Sequence, residues 1–242
     1  MMHNFFYNGK WLSQFGGRIV NAPFHSVAQR DFKLISIPER SGDIVQDNGR
    51  YNNVDFELQI ALMPLLAHTS AQYLAYKIID WLTEFNNYQT YKDTYNKGYY
   101  CYAVVTNLDT IQRELPSYLT TTVKFSRKPY WYAQTEPISL VSGQKLNLLN
   151  PERMPSNPLY KLTGTGASAT LTINGETLSI KNSINADYTV LDGENMQYYS
   201  VKNGIKSYIS PLLPQQFKVG KNEIIANQVI GSLTLEPNWR RL

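Results

Sequence analysis

A nine-residue stretch of alternating apolar and mostly polar side chains sets the strongest constraint on the fold. The apolar positions are Val54, Phe56, Leu58, Ile60 and Leu62, and the positions between them hold Asp55, Glu57, Gln59 and Ala61. A period of two places successive side chains on opposite faces of a β-strand. Residues 54–62 are therefore predicted to form a strand with one buried face. Pro64 cannot donate a ladder hydrogen bond and is predicted to end it.

Two clusters of turn-forming residues precede this strand. Residues 37–43 read Ile-Pro-Glu-Arg-Ser-Gly-Asp, and residues 47–49 read Asp-Asn-Gly. Glycine supplies positive φ, and Asn or Asp side chains bond their own backbone, so both clusters are predicted to be turns. The segment 36–53 is therefore predicted to be a hairpin or arm that projects from a sheet.

One amphipathic helix is predicted after the strand. Its apolar stripe is formed by Leu74, Ile78, Leu82 and Phe85. The spacings of four, four and three place these side chains on one helix face. Thr69 or Ser70 is suited to cap the start of the helix, and residues 86–87 are suited to end it. Further strands are predicted at 99–105 and 120–125, so residues 1–133 should form an α+β domain: an antiparallel sheet or barrel with one helix packed on it.

The second part of the chain is all-β by pattern. Residues 133–158 are rich in proline and are predicted to be a linker with one short strand at 138–141. Asn174-Gly175 lies between two alternating runs, which is the preferred sequence of a type I′ hairpin. Shorter strands are predicted at 188–191, 224–226 and 233–235. Residues 134–242 should therefore form a β-sandwich, and the fold class is mainly β.

Searches for catalytic and metal-binding motifs find no GxSxG, GxxxxGK[ST], GxGxxG or HExxH pattern. Three histidines, His3, His25 and His68, and one cysteine, Cys101, are too few for a zinc site. Cys101 lies in an apolar strand pattern and is predicted to be buried. Asp55 and Glu57 are interpreted as the polar face of a strand and not as a glycosidase pair. No catalytic residue, metal or cofactor is predicted, and the chain is not expected to be an enzyme.

Charge and hydropathy exclude further classes of function. The net charge is +4, and no basic stripe is present, so dedicated nucleic-acid binding is not supported. The densest basic clusters, Lys124, Arg127 and Lys128 and then Arg240 and Arg241, are predicted to be solvated. Residues 1–11 lack the apolar stretch of a signal peptide, and no apolar run approaches the ~20 residues of a membrane helix. The protein is expected to be made in the cytosol and not to bind membranes.

Aromatic side chains leave one binding function open. The chain contains 18 tyrosines. Candidates for an aromatic surface in the second domain are Tyr188, Tyr198, Tyr199, Tyr208 and Trp239. Aromatic residues are common both in cores and at interfaces, so these side chains are predicted to be buried or to dock a partner. The alternative is that they bind sugars, which would make the chain a carbohydrate-binding module for host cell-wall polysaccharide.

Several segments together resemble the distal tail protein (Dit) family of siphophages, whose tails are long and non-contractile. The segments that carry the resemblance are Asn8-Gly9, Phe15-Gly16, 37–43, 47–54, 157–166, 171–175 and 235–242. The family pattern in the first cluster of turn residues, 37–43, is usually nearer Pro-Gly-Arg-Asp-Gly-Asp, and here Glu39 and Ser41 replace the first Gly and the first Asp. The resemblance spans nearly the whole chain.

The resemblance implies a structural subunit of the virion, located at the distal end of the phage tail, in the tail tip or baseplate. Residues 1–133 would form a homo-hexameric ring whose arm reaches over a neighbour, and residues 134–242 would be a galectin-like domain. The ring would join the major tail (tube) protein to the tail-associated hub or fibre protein and dock receptor-binding proteins, and DNA would pass through the lumen without specific binding.

Residues of the arm are the candidate contacts between subunits. They are Arg40, Asp43, Gly49, Arg50 and Tyr51. Charge-assisted hydrogen bonds between a neighbour and the side chains of Arg40, Asp43 and Arg50 would fix the register of the arm. The alternative is that these charges brace the arm hairpin locally.

Overall fold

The structure is a computed structural model that describes residues 3–22, 26–115, 118–183, 185–209 and 215–242. The chain divides into two compact units, Met1–Trp131 with Leu242, and Tyr132–Arg241. Each unit has its own cluster of buried apolar residues.

Among its described residues, the first unit contains strands, one α-helix and one short 3-10 helix, Leu12–Phe15. Its elements are β1 (Phe5–Tyr7), β2 (Lys10–Trp11), β3 (Gly17–Ile19), β4 (Arg30–Ile35), β5 (Ile44–Tyr51), β6 (Val54–Leu62), α1 (Ala71–Thr83), β7 (Gln89–Asp93), β8 (Tyr99–Leu108), β9 (Gln112–Leu115) and β10 (Tyr118–Arg127). The main antiparallel sheet has the strand order β2-β1-β7-β8-β10-β6-β3, with β9 also paired to β10. Strand β6 has the predicted bounds and pairs with β10 along its whole length.

Helix α1 packs on this sheet through the predicted apolar stripe. Leu74, Ile78 and Leu82 are buried, and Trp81, which the stripe did not include, is buried beside them. The Trp81 indole Nε1 donates to the Tyr7 carbonyl oxygen at 2.9 Å, so the ring fixes the helix to β1. The Ser70 hydroxyl accepts from the Tyr73 amide, as expected of an N-cap. The prediction for Phe85 was wrong, because the helix ends at Thr83 and Phe85 is exposed.

The basic cluster at the end of β10 is not a solvated edge, contrary to the sequence prediction. Arg127 is buried, whereas Lys124 is half-buried and its ammonium lies beside Asp109. The Arg127 guanidinium donates to the carbonyl oxygens of Lys128, Pro129 and Ser26 and lies 5.4 Å from the Trp131 ring centroid. Burial lowers its pKa from the ordinary value. The carbonyl bonds satisfy the buried donors and tie the chain at Ser26 to the sheet.

Substitution of Arg127→Lys is expected to destabilise the protein by about 2 kcal/mol. A lysine keeps the charge but has no planar fork, so it leaves carbonyl oxygens unpaired in a buried site. Urea unfolding followed by tryptophan fluorescence measures the change. Lys124→Ala is the control, and it should cost less than about 0.5 kcal/mol because exposed ion pairs contribute little. Equal effects of the two substitutions would contradict the structural role of Arg127.

The second unit is built of antiparallel strands. They are β11 (Trp131–Ala133), β12 (Ile138–Leu140), β13 (Lys145–Asn150), β14 (Leu159–Ile173), β15 (Glu176–Lys181), β16 (Tyr188–Asp192), β17 (Gln197–Lys202), β18 (Ile205–Tyr208), β19 (Gly220–Glu236) and β20 (Arg240–Arg241). The main order is β12-β19-β14-β16-β17-β18, and β13 pairs with β19 while β15 pairs with β14. Asn174 and Gly175 both have positive φ, which confirms the predicted type I′ turn. The mainly β fold class is confirmed.

Two long strands allow one sheet to cover both sides of the core of the second unit. In β14 the buried positions are even-numbered before the bulge, at 160 and 162, and odd-numbered after it, from 167 to 173. Strand β19 changes phase in the same way, from 222, 224 and 226 to 233 and 235. The pairing register shifts between Thr163 and Ser168. Both halves of each strand therefore face the same core, as the two layers of a sandwich do.

This phase change overturns two sequence predictions. Residues 224–226 and 233–235 are not two short strands but parts of β19. Residues 145–150, predicted as linker, form β13, which pairs with the first half of β19.

The C-terminal basic residues also differ from the predicted solvated tail. Arg240 is buried, and its Nη1 lies 2.7 Å from Glu194 Oε2. Its Nε donates to the Pro155 carbonyl oxygen at 2.7 Å. An ion pair with both side chains shielded from water tolerates loss of one partner poorly, so this pair fixes the last strand to the loop that holds Glu194.

Tyr160 provides a stability test of the second unit. Its side chain is fully buried, and its hydroxyl has no hydrogen-bond partner in the part of the chain that the structure describes. Burial raises the pKa of this hydroxyl well above the ordinary value. Tyr160→Phe removes an unpaired buried hydroxyl and is expected to stabilise the protein by about 1 kcal/mol. Urea unfolding measures this change, and a destabilised variant would indicate that the hydroxyl has a partner in solution.

Candidate assembly surfaces

The predicted arm is a two-stranded ribbon that forms a sheet of its own. Strands β4 and β5 pair with each other and with no other strand among the described residues. The arm begins at Arg30, earlier than the predicted start at residue 36, and its tip is the loop between Ile35 and Ile44. An isolated two-stranded ribbon is marginally stable in water, so this segment is shaped for contact with another surface.

The second predicted turn, Asp47-Asn48-Gly49, is a bulge inside β5. Arg30 pairs with Tyr51 and Phe32 pairs with Asp47, so residues 48–50 lie opposite Asp31 alone. Gly49 has a φ of 70° and its amide donates to Asp47 Oδ1 at 2.9 Å. The positive φ that favours glycine is therefore present, but it bends a strand and does not reverse the chain.

The tip of the arm contains a turn, as the residue types in the segment 37–43 predict. The Arg40 amide donates to the Ile37 carbonyl oxygen, and Glu39 at the third turn position has a φ of 65°. Pro38 precedes it, which matches a type II turn, where the third position favours glycine. Glu39 thus occupies a left-handed position at the place where the family pattern has Gly.

Apolar side chains are exposed on both faces of the arm. Leu34 and Val45 are cross-strand partners on one face and are 59% and 62% exposed. Ile35 and Ile44 are partners on the other face and are also exposed. Phe32 shares the face of Leu34 and is 50% exposed. An arm that exposes apolar side chains among polar ones on both faces is suited to contact with other protein surfaces.

The base of the arm is braced by its own charges and aromatic rings. Arg50 Nε donates to Asp31 Oδ2 at 2.6 Å and lowers the pKa of that carboxyl group. Arg30 forms an ion pair with Asp47 and lowers its pKa. The Tyr51 ring packs edge-on against Tyr130 at 6.0 Å. These contacts hold the two strands together in one chain.

The candidate charges of the arm therefore have different placements. Arg50 braces the hairpin locally, which is the alternative interpretation from the sequence. Arg40 and Asp43 are exposed at the tip and form no ion pair with the described residues. Contacts of Arg40, Asp43, Gly49 and Tyr51 with a neighbour stay a prediction.

The candidate aromatic residues of the second unit are not one surface. Tyr198 is buried, and its hydroxyl bonds the backbone of Lys181, and Trp239 is buried against Phe217. Neither is available to a partner or a sugar. Tyr199 and Tyr208 form an edge-on pair at 5.9 Å on the β17–β18 hairpin, and Tyr208 is 66% exposed. Tyr188 lies on the same face of the sheet, diagonal to Tyr199, and its ring centroid is 4.4 Å from the Lys161 ammonium.

A groove beside α1 was not predicted from the sequence. It lies between the outer face of the helix and the end of β8 with the loop that follows, and its volume is about 780 Å³. Exposed apolar residues Tyr76, Ile79 and Phe85 line one wall, and Leu108 and Ile111 line the other. The signal for this groove is the pair of further apolar side chains on the helix, Tyr76 and Ile79, which the sequence analysis did not single out.

The described residues offer little to catalysis or metal binding. No group of three or more His, Cys, Asp and Glu side chains able to hold a metal occurs among them. Cys101 is buried, as predicted, and burial raises its pKa. His3 stacks on Tyr95, and His25 lies outside the described residues. Within that part of the chain, no helix has the length and hydropathy to cross a membrane.

Comparison with solved structures identifies proteins of the same fold. The crystal structure of SPP1 Dit (gp 19.1), described as a paradigm of the hub adsorption apparatus in phages that infect Gram-positive bacteria, aligns over 100% of both chains with a TM-score of 0.66 and 12% identity. This chain has the distal tail protein fold. A chain of the phage p2 baseplate in its activated conformation with Sr aligns over 100% of this chain and 98% of that one, with a TM-score of 0.56 and 8% identity.

The resemblance to the distal tail protein family is confirmed at the level of fold. No protein-family model and no curated protein matches the chain. The identity to both structures is low, so side-chain contacts of those proteins do not transfer to this one. The arm, the groove and the aromatic pair of this chain are therefore the surfaces from which its contacts can be inferred.

Proposed function

We propose that this protein is a structural subunit of a phage tail tip that assembles into a six-membered ring through its arm. The observation that carries the proposal is the ribbon of residues 30–51, which exposes apolar side chains on both faces and pairs with no other strand of the described chain. The distal tail protein fold, found also in hub and baseplate proteins, supports a location at the distal end of the tail.

An arm that projects from the sheet is compatible with assembly into a ring. The arm would contact a different surface of its neighbour. Such a heterologous contact repeats from one subunit to the next and closes into a ring when the rotation allows. The number six comes from the family resemblance.

The ring would connect the major tail (tube) protein to the hub or fibre protein. DNA would pass through its lumen, and the modest net charge of +4 is compatible with passage because a strongly basic lumen would retain phosphate groups. The tube, the hub and the receptor-binding proteins are the partners of this role. It needs no cofactor and no catalysis.

The second unit supplies a docking surface for receptor-binding proteins in this proposal. The Tyr199–Tyr208 pair is the candidate, because the exposed ring of Tyr208 and the adjacent Lys206 ammonium form a compact aromatic and basic patch. Tyrosine and basic side chains often dominate the energetics of protein interfaces.

Electron microscopy of the purified protein and of phage tails that contain it tests the proposed function. The expected images show rings with six-fold symmetry, both free and at the distal end of the tail. Absence of such rings from both preparations would overturn the proposal.

The second candidate function is a carbohydrate-binding module, and the same aromatic pair is the observation that favours it. Exposed tyrosines can stack on sugar rings. Calorimetric titration with cell-wall polysaccharide fragments distinguishes the two functions. Binding that is lost in Tyr208→Ala would support the module, and no heat at millimolar sugar would exclude it.

A further inference from the structure

We propose that the groove beside α1 receives the arm of a second copy of this chain, with Phe32, Leu34 and Val45 directed into it. This inference rests on the proposed ring and adds the acceptor surface on the neighbouring subunit. It starts from two surfaces of the same unit that expose apolar side chains, neither of which is covered by the residues that the structure describes.

The two surfaces match in chemistry. The arm presents two aliphatic side chains and one phenyl ring on one face, through the pair Leu34–Val45 and Phe32. The groove presents Tyr76, Ile79, Phe85, Leu108 and Ile111. Neither surface carries the convergent charged side chains that a polar ligand requires, so burial of apolar area is the available driving force.

The two surfaces also match in length. The helix wall of the groove runs from Gln72 to Thr83, which corresponds to about 16 Å at 1.5 Å per residue. Strand β4 runs from Arg30 to Ile35, which corresponds to about 17 Å at 3.3 Å per residue. A single arm strand therefore fills the groove from end to end.

The opposite wall of the groove offers a backbone edge. Strand β8 continues to Leu108, beyond Ala103, its last residue paired with β7. Within the first unit, residues 104–108 have no further strand on that side in the described part of the chain. An arm strand in the groove lies beside this edge, where strand addition supplies backbone hydrogen bonds and alternate side chains enter the groove.

The face of the arm that turns away from the groove is available for a second contact. Ile35 and Ile44 point away from a groove that receives Leu34 and Val45. Each arm would thus contact two surfaces, the groove on one side and a further protein surface on the other. This double contact would account for the exposed apolar side chains on both faces of the ribbon.

Cross-linking between two separately prepared variants tests the docking site. One preparation carries Leu34→Cys and the other carries Ile79→Cys with an affinity tag, so that only a contact between chains gives a heterodimer. The two are mixed, allowed to exchange subunits and treated with a short bis-maleimide. The native thiol, Cys101, is buried and does not compete. A second pair, Val45→Cys with Tyr76→Cys, guards against a variant that fails to assemble.

The expected yield of heterodimer is at least about tenfold above that of the control mixture, because docking raises the local concentration of the two thiols toward the millimolar range. The control replaces Leu34→Cys by Val141→Cys, a similarly exposed aliphatic position of the second unit. Native mass is recorded on every sample. A ring without specific cross-links in either pair overturns the groove and leaves the ring standing, whereas monomers throughout overturn both the groove and the assembly of free chains into a ring.

Discussion

A variant with Leu34→Asp and Val45→Asp is expected to remain folded and to lose its self-association. The two side chains are cross-strand partners near the middle of the arm, and each is more than half exposed in the single chain. Their replacement therefore removes no contact from the core of either unit. In an assembly, the same positions would bring two carboxylates into an apolar surface, where unpaired charges are costly.

The expected size of this effect follows from the area that the arm would bury. Burial of a Val or Leu side chain contributes about 2 kcal/mol, so loss of both weakens each contact by about 4 kcal/mol, or roughly 10³-fold in Kd. Analytical ultracentrifugation measures the shift, and circular dichroism checks that the fold is retained. The control is Ile205→Asp, another exposed aliphatic residue on a hairpin, which should leave association unchanged. Unchanged association of the double variant would show that the arm makes no contact between subunits.

Substitution of Gly231→Ala is expected to destabilise the second unit by about 3 kcal/mol. Gly231 has a φ of 94° and lies opposite the bulge of β14, between residues paired with Thr163 and Ser168. A Cβ atom here would lie 2.6 Å from the Thr163 carbonyl oxygen and 2.7 Å from Ala167 Cβ. Because one of these atoms is backbone, the clash is relieved only by moving the two strands apart at the point where they change phase.

The steric part of this effect has a matched control in the same unit. Gly175 has the same φ of 94°, and no atom lies within 4 Å of its Cβ position. Gly175→Ala therefore reports the backbone strain alone, about 1 kcal/mol. Urea unfolding of both variants separates the two contributions. Equal losses of stability would mean that the close approach of β14 and β19 does not restrict position 231.

The sequence was sufficient where local chemistry decides the structure. Strand β6 was predicted with its observed bounds, because its nine residues alternate without interruption and Pro64 follows soon after. The hairpin at Asn174-Gly175 was predicted because positive φ at both positions is a local requirement. Three residues of the helix stripe were correct for the same reason, since their spacing alone places them on one face.

The sequence was insufficient where contacts between residues distant in the chain decide the structure. Strands β14 and β19 each change phase in the middle, so alternation breaks inside a continuous strand and the pattern indicates two short ones. Arg127 and Arg240 resemble solvated charges in sequence, yet each is buried by partners distant in the chain, such as Ser26 and Glu194. The groove beside α1 depends on where β8 ends relative to the helix, which no local pattern encodes.

The native mass of the purified chain, measured by light scattering at micromolar protein and at tenfold higher concentration, tests the central claim most directly. The account predicts a mass of six chains of 27.7 kDa each at the higher concentration, and a monomer mass for the Leu34→Asp and Val45→Asp variant. A mass of 27.7 kDa for the unmodified chain at both concentrations would contradict the claim that the arm assembles this protein into a ring.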